Sequence, residues 1–359
     1  AIDPYMTRGG LSLSKYVWDN GASEVLGYAP SIMANSELTW ETTKQWNVGI
    51  DFGFLNNRLS GTVDLYLQHT SDLLLERQIP VVSGFGSVLS NVGETKNKGI
   101  EISLSTLNVN TRAFQWTTDV MFYANKESIE SLYNGKVDDV GNKWFIGHPI
   151  NVHYDYEKIG IWQNTSEDLA EMEEFNKNGA NFKSGDIKIW DNGDKKITEA
   201  DRKILGSTSP KFIASMVNSI SYKGFDFSIF LYASVGAMLN NNIEYLNKPG
   251  RANSIVIDYW TPTNPTNAYP RPSVDNASPA YVKSLQYEKA DFIRVRNITL
   301  GYTLPEKLLK KIRARKIRVY LSANNPFVIT GFSGIDPEGA RGYTAPSAST
   351  WMGGVNLSF

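Results

Sequence analysis

The stretch QWNVGIDFGF, Gln45 to Phe54, decides the fold. Its even positions, Trp46, Val48, Ile50, Phe52 and Phe54, are apolar. Its odd positions, Gln45, Asn47, Gly49, Asp51 and Gly53, are polar or carry almost no side chain. A period of two marks a β-strand with one greasy and one wetted face, because successive Cβ atoms point to opposite sides of a sheet. The polar pair Asn56-Asn57 then predicts a tight turn, and RLSGTVDLYLQHT resumes the alternation. There Leu59, Val63, Leu65 and Leu67 point one way, and Arg58, Ser60, Thr62, Asp64 and Gln68 the other. The two stretches read as a hairpin.

The same pattern returns in GIEISLS (99–105), QWTTDVMFYAN (115–125), FDFSIFLYASV (225–235), NITLGYT (297–303), KIRVYLSAN (316–324) and WMGGVNLSF (351–359). About nine strands are expected, many of ~10 or more residues, against the ~5–6 usual in soluble sheets. A strand that crosses a bilayer at a tilt needs ~9–11 residues. The connections alternate short and long. Asn56-Asn57, NVNTR, Lys223-Gly224 and the helical turn PEKLLKKIRAR (Leu308, Leu309 and Ile312 on one face) are tight, whereas 71–97, 126–209, 237–290 and 330–349 are long. That asymmetry is the habit of outer-membrane barrels. With the terminal strand ending in the periplasm, parity puts the 126–209 excursion on the extracellular side, with YEKIGIW as an extended piece inside it. A soluble sandwich or propeller also alternates, and alternation by itself leaves that alternative open.

Composition narrows the field further. Lys plus Arg (36) balances Asp plus Glu (37) for a net charge of −1, so the bulk charge points to neither nucleic acid nor anionic lipid. Aromatic residues make up 12%, which favours strands and interfaces. The absence of cysteine excludes disulfides and thiolate chemistry. No apolar run reaches the ~20 residues of a transmembrane helix. AIDPYMTRGG has neither an initiator Met nor a signal region, so the chain is expected to be a processed piece or C-terminal part of a longer protein.

Chemistry-bearing residues are few. GDIKIWDNGDKKITEAD (185–201) crowds oxygen donors around a glycine, as a calcium loop does. With Asp194 at the fifth position of such a loop, Asn192 is third and Asp201 twelfth. However, Trp190 then occupies the first position and Lys195 the sixth. Asp191, Asp194 and Asp201 are the candidate ligands for a structural Ca2+. The other reading is an Asn-Gly turn with Asp201 capping a short helix. The loop aromatics Trp144, Tyr154, Tyr156, Trp162, Trp190 and Trp260 suit stacking on sugars, packing against a partner, or a loop core, and the last two uses are favoured. Arg294 and Arg296 suit either the lumen, where they would meet anionic or hydroxylated solutes, or ion pairs with Asp or Glu on neighbouring strands, and the second is favoured. The histidines His69, His148 and His153 lack HExxH spacing, and no nucleophile motif is present, so no catalytic residue is named. TPTNPTNAYPRPSVDNASP (261–279) reads as a mobile or partner-contacting loop.

Several stretches together resemble the SusC/RagA family of TonB-dependent outer-membrane transporters from Bacteroidetes. They are NSELTWETTKQWNVGIDFG, SNVGETKNKGIEISLS, GDIKIWDNGDKKITEADRKILGSTSP, FIRVRNITLGYTLPEKLL, GFSGIDPE and the strand ending in Phe359. Their order matches the C-terminal third of that family. The resemblance implies an all-β fold: the C-terminal part of a 22-stranded transmembrane antiparallel barrel, with long extracellular loops. Residues 1–359 would supply about nine strands, while the plug, the TonB-contacting segment and the earlier strands lie outside the chain. It also implies a SusD-like surface lipoprotein as lid, TonB as energy source, an oligosaccharide or oligopeptide as solute, and an outer-membrane location. The family's acidic loop runs closer to D-x-N-G-D-G, from which Asp191 is displaced by one position. The rival functions are a secreted, soluble β-rich glycan-binding module and, more remotely, a glycoside hydrolase. No substrate-binding residue is identified.

Overall fold

A computed structural model describes residues 6–18, 21, 23–241, 256–272, 279–309, 314–338 and 347–359. Nine long strands form one antiparallel sheet in which every strand pairs with its neighbours in sequence. They are β1 (Thr42–Phe54), β2 (Leu59–Ser71), β3 (Glu94–Asn110), β4 (Phe114–Ser131), β5 (Phe212–Tyr222), β6 (Phe225–Val235), β7 (Phe292–Thr303), β8 (Lys316–Thr330) and β9 (Thr350–Ser358). The shortest has 9 residues and the longest 18, so each reaches the length a tilted transmembrane strand needs. The tight turns follow from residues that accept positive φ. Leu55, Asn56 and Asn57 take φ of 56°, 56° and 60°, and Lys223 and Gly224 take 46° and 91°, the hand that matches the strands' right-handed twist.

Two compact units are distinguished along the chain. One comprises Ala1–Gly49, Asp64–Gly99 and Asn125–Ile150, and the other Ile50–Val63, Ile100–Ala124 and Asn151–Phe359. In the second unit the cross-strand partners show which side chains share a face. Phe114, Tyr222, Phe225 and Tyr302 lie opposite one another across β4 to β7, with ring contacts at 6.2 and 4.5 Å. The next rows on that face are Trp116–Ile220–Phe227–Leu300–Leu321 and Val120–Met216–Leu231–Val295–Phe327. Phe122 then stacks on Phe212 at 5.7 Å. From Phe114 to Phe122 is about 26 Å along the strand, which at a tilt of ~35–45° spans about 20 Å of the ~25 Å apolar belt of membrane barrels. Large apolar side chains on this face stay exposed, among them Phe225, Leu300, Leu321 and Phe327. In water such a surface would aggregate. Polar side chains on this face bond one another: Asn218 Oδ1 accepts from Trp116 Nε1 at 3.0 Å and from Thr118 Oγ1 at 2.7 Å, and Asn108 Nδ2 donates to Thr118 Oγ1 at 2.8 Å.

The other face is polar. Thr117, Ser219, Ser228, Thr299 and Ser322 form a row across five strands, and the Thr299 and Ser322 hydroxyls are 2.8 Å apart. Nearby, Arg318 on β8 reaches across β7 to Asp226 on β6, with Nε 2.9 Å from Oδ1. It passes over Gly301, where a Cβ would stand 2.5 Å from the guanidinium. Along β7 the pairing skips Arg296, which forms a bulge between Val295 and Asn297.

In the first unit, Gly99 on β3 lies beneath the ring of Tyr66, whose hydroxyl donates to Asn125 Oδ1 at 3.0 Å. This unit also carries two hairpins outside the main sheet. They are Gly10–Trp18 with Ser23–Ile32, and Leu74–Gln78 with Ser87–Asn91. The second fills much of the 71–97 connection. The expected helical turn is α2 (Glu306–Leu309), but Leu309 is buried while Leu308 is 48% exposed, so the two do not share an environment. Adjacent helical positions diverge by ~100°, and Ile312 lies outside the described residues.

The two faces call for opposite responses to charge. Leu231→Arg, on the apolar face near mid-strand, is expected to cost about 2–4 kcal/mol of folding stability in lipid, whereas Ser219→Arg on the polar face costs less than about 1 kcal/mol. Equilibrium unfolding of the full barrel in phospholipid vesicles measures the difference.

Candidate functional site

The excursion between β4 and β5 folds around its own core. Helix α1 (Ser166–Lys177) begins at Thr165, whose side chain caps the Asp168 N–H at 3.2 Å, and has Glu167 and Asp168 in its first turn. It buries Met172 and Phe175 against Trp162 and Phe182, with ring centroids 5.7–5.8 Å apart. A second cluster joins Ile161, Ile187, Ile189, Trp260 and Leu285. Lys158–Ile161, within the expected extended piece, pairs with Ile187–Ile189, and Ile197 and Tyr281 pack against both clusters. Lys188 lies over the Trp162 ring at 4.2 Å and pairs with Asp168 at 2.8 Å and Glu171 at 2.7 Å. Burial pushes Glu171 up, but the hydrogen bonds and charges of Lys188 and Lys195 outweigh it and hold this carboxyl below its usual range. Burial likewise works against the Lys188 ammonium, yet Asp168 and Glu171 raise it.

The acidic loop follows this core. Asp191, Asp194 and Asp201 each bring a carboxylate oxygen within 4.8 Å of the others. Asp201 is fully buried and accepts from the N–H groups of Asn192 (3.0 Å) and Thr198 (2.6 Å), the latter closing a capping box over Glu199–Asp201. Asp191 Oδ2 accepts from Gly193 and Lys195 N–H at 3.0 and 3.2 Å, while its Oδ1 is buried and takes no donor. Asp194 is exposed and accepts from Lys196 N–H at 2.9 Å. Asn192 turns its Oδ1 to the Asp194 N–H at 3.1 Å, so it closes an Asx turn. The turn and the capping role are therefore both present, and the three carboxylates converge without the spacing of an EF-hand. A hard cation matches this donor set, since the buried Asp191 oxygen would otherwise stay unpaired.

Arg294 on β7 is buried at 3% exposure, and Arg296 is half-buried. Their partners are not on neighbouring strands. Both reach the connection after β8, where Arg294 Nη2 lies 2.6 Å from Asp336 Oδ1 and Arg296 meets Glu338. Arg294 Nε is also 2.8 Å from Glu338 Oε2, close enough for Coulombic attraction but outside hydrogen-bond geometry. Sequence spacing hides such pairs because a loop can fold back over a strand. Asp336 is pushed up by burial but, through the N–H groups of Glu338 and Ser347 and the Arg294 charge, ends below the usual carboxylate range.

The loop aromatics mostly serve as loop core. Trp162 and Trp260 are 1% and 5% exposed, and Trp260 Nε1 donates to Gln163 Oε1 at 2.8 Å. Lys203 covers the Trp190 ring at 3.6 Å, and Tyr156 packs edge-on against Tyr281. Trp144 is partly buried and bridges Asp139, while Tyr154 lies in the Val152–Tyr156 strand, paired with Ile204. Of the proline-rich stretch, 273–278 lie outside the described residues. The remainder is pinned: Lys158 Nζ donates to Ala268 O at 2.6 Å, and Arg271 pairs with Asp186 at 2.9 Å. A cavity of about 430 Å3, not foreseen from the sequence, lies beside it and is lined by Glu157, Lys158, Tyr269, Tyr287, Glu288 and Ser333. Burial lowers the Lys158 ammonium pKa and, with Glu288 nearby, raises that of the Tyr269 phenol. The histidines do not gather: His69 meets Glu94 at 3.1 Å and His153 the Met238 carbonyl at 2.9 Å.

Comparison with known proteins places these features in context. A family profile described as TonB dependent receptor-like, β-barrel matches residues 12–325. TonB-dependent receptor P3 of Formosa agariphila is 33% identical over 94% of this chain and 34% of its own length. TonB-dependent receptor SusC of Bacteroides thetaiotaomicron is 30% identical over 90% of the chain and 32% of its own. A structure of the RagAB peptide transporter covers 100% of the chain and 39% of its own, at 26% identity and a TM-score of 0.76. The chain thus spans about a third of the length of the relatives it matches.

Asp201→Ala strands the N–H groups of Asn192 and Thr198, and is expected to cost about 2 kcal/mol or more. Faster hydrogen exchange across 191–207 is the measurement. The folded Glu171 pKa lies below its unfolded value, so its ion pairs stabilise α1 above the ordinary glutamate range and are lost as pH falls through the depressed value. Protection of the Met172 and Phe175 amides, corrected for the intrinsic pH dependence of exchange, should therefore fall only once the pH drops below the ordinary glutamate range.

Proposed function

This chain belongs to the TonB dependent receptor-like β-barrel family, a non-enzymatic family of the outer membrane, and is of the SusC/RagA type; on that premise we propose that it is the C-terminal barrel portion of a nutrient importer. The observation that carries this reading is the apolar surface shared by β4 to β8, whose opposite face is polar, within a nine-stranded meander. Within the described sheet β1 and β9 each pair on one side only. Unpaired backbone in hydrocarbon costs several kcal/mol per group, so further strands close the barrel and a plug fills it. A soluble glycan-binding module does not fit an apolar ribbon of this extent.

Import of an oligosaccharide or oligopeptide, energised through TonB and gated by the plug, requires of this segment a polar wall and shaped outer loops but no covalent chemistry. The excursion built on α1 faces the cell exterior, beneath a SusD-like lipoprotein lid. The oligopeptide alternative draws support from the likeness to RagAB. Asp191, Asp194 and Asp201 hold a Ca2+ that braces this loop, adding charge neutralisation to the capping box.

Two measurements test the reading. Deleting the gene for the full-length protein should abolish uptake of at least one labelled oligosaccharide or oligopeptide class, and dissipating the proton-motive force should do the same. Unchanged uptake of both classes would sink it. For the loop, adding Ca2+ alone to the purified transporter should slow exchange across 191–201 about tenfold, an effect lost in Asp191→Asn/Asp194→Asn.

A further inference from the structure

The balanced overall charge conceals a local cluster of cations. In the first unit a recess of about 160 Å3 is lined by Lys96, Lys98, Lys126, Ser128, Glu130 and Gly147. Its single carboxylate, Glu130, accepts from the Ser128 hydroxyl at 2.9 Å. Among the described residues, none of the three lysines lies within 4 Å of a carboxylate. Three neighbouring ammonium groups repel one another, and the arrangement favours a compact anion of more than one charge. The recess is too small for a typical small-molecule ligand, which takes ~300 Å3 or more.

Strand geometry fixes the face on which these lysines stand. Tyr66, Gly99 and Asn125 meet on one face, as the Tyr66–Asn125 hydrogen bond and the close approach at Gly99 show. Lys98 and Lys126 adjoin Gly99 and Asn125 in their strands, so they point to the opposite face. Leu65 and Leu67, flanking Tyr66, point there too. So does Val48, because Gly49 and Asp64 crowd each other on the Tyr66 side. Val48, Leu65 and Leu67 are 64%, 52% and 40% exposed, and belong to the hydrocarbon-facing surface. The lysines stand near the start of β3 at Glu94 and the end of β4 at Ser131, where the long excursion departs. Cations just beyond an apolar belt lie at headgroup height.

We propose that Lys96, Lys98 and Lys126 form a site on the outside of the barrel for the phosphate of a phosphorylated outer-leaflet lipid. A phosphate monoester carries about −1.5 to −2 charges, which three lysines offset better than a carboxylate would require. The phosphate alone seats in the recess, the rest of the headgroup stays outside it, and the acyl chains lie along the apolar face below. The site rests on the membrane reading above but not on any transported solute.

The test uses the full-length transporter in nanodiscs containing a bisphosphorylated glycolipid (lipid A) or its dephosphorylated form, with co-purifying lipid counted by native mass spectrometry. Wild type should retain the phosphorylated form about tenfold more than the dephosphorylated one. Lys96→Gln/Lys98→Gln/Lys126→Gln should lose that preference, and the triple Arg variant should keep it. Equal retention of both lipids by wild type overturns the site, as does a preference that survives in a folded Gln triple. If the Gln triple fails to fold, the wild-type comparison and the Arg triple decide. Full displacement of the glycolipid by excess inorganic phosphate overturns the lipid assignment in favour of a free-anion site. A transporter that retains neither lipid and stays soluble without detergent sinks the membrane reading itself.

Discussion

Everything in this protein depends on how its backbone polar groups are paired inside hydrocarbon. No water is available there, so each N–H and C=O must find a strand partner, and a side chain on the outer face must be apolar or satisfied in place. The nine strands meet the first demand through antiparallel pairing between neighbours, which in β7 steps past the bulge at Arg296. Asn218 illustrates the second: held by Trp116 and Thr118, it presents no free acceptor to the acyl chains. With the outer face thus fixed, the inner face can carry hydroxyls, amides and the Arg318–Asp226 pair.

Against that membrane frame, the outer segments solve a different problem. They are long enough to need cores of their own, and aromatic residues supply them. Trp162, Phe175 and Phe182 form a cluster that would suit a small soluble domain. Lys188 and Glu171 seal its edge with charge rather than more apolar bulk. The Arg294–Asp336 pair ties the connection after β8 to a strand, so this outer segment is braced by a partly buried charge as well as by packing. A cation at the acidic loop would extend the same strategy.

The strands were legible because period two is a local property: Trp46, Val48 and Ile50 announce their face without any knowledge of neighbours. The short turns were equally plain from Asn56-Asn57 and Lys223-Gly224. What could not be read was whatever long-range folding assembles. Arg294 gives no hint that its partner lies 42 residues on. Lys158, Tyr269 and Glu288 look unremarkable until one cavity gathers them. The convergence of Asp191, Asp194 and Asp201 was partly visible, because an acidic loop has a spacing. Its geometry was not, since Asn192 turned out to serve the backbone. Lys96, Lys98 and Lys126 were invisible for a further reason: counting charges over the whole chain averages them away.

The bulge at Arg296 has a consequence for how β7 tolerates change. Before it, Ile293 and Val295 hold the greasy positions; after it, Ile298 and Leu300 do, so the alternation switches from odd to even numbers in mid-strand. The extra residue works as a phase corrector. Removing Arg296 would erase the bulge and leave Val295, Ile298 and Leu300 in unbroken period two, whereas removing Ile298 beyond it would send Thr299 toward the acyl chains and Leu300 toward the barrel interior. A single deletion in this strand is therefore absorbed only at the bulge, and elsewhere changes of length must come in pairs, whereas the connecting segments face no such parity rule.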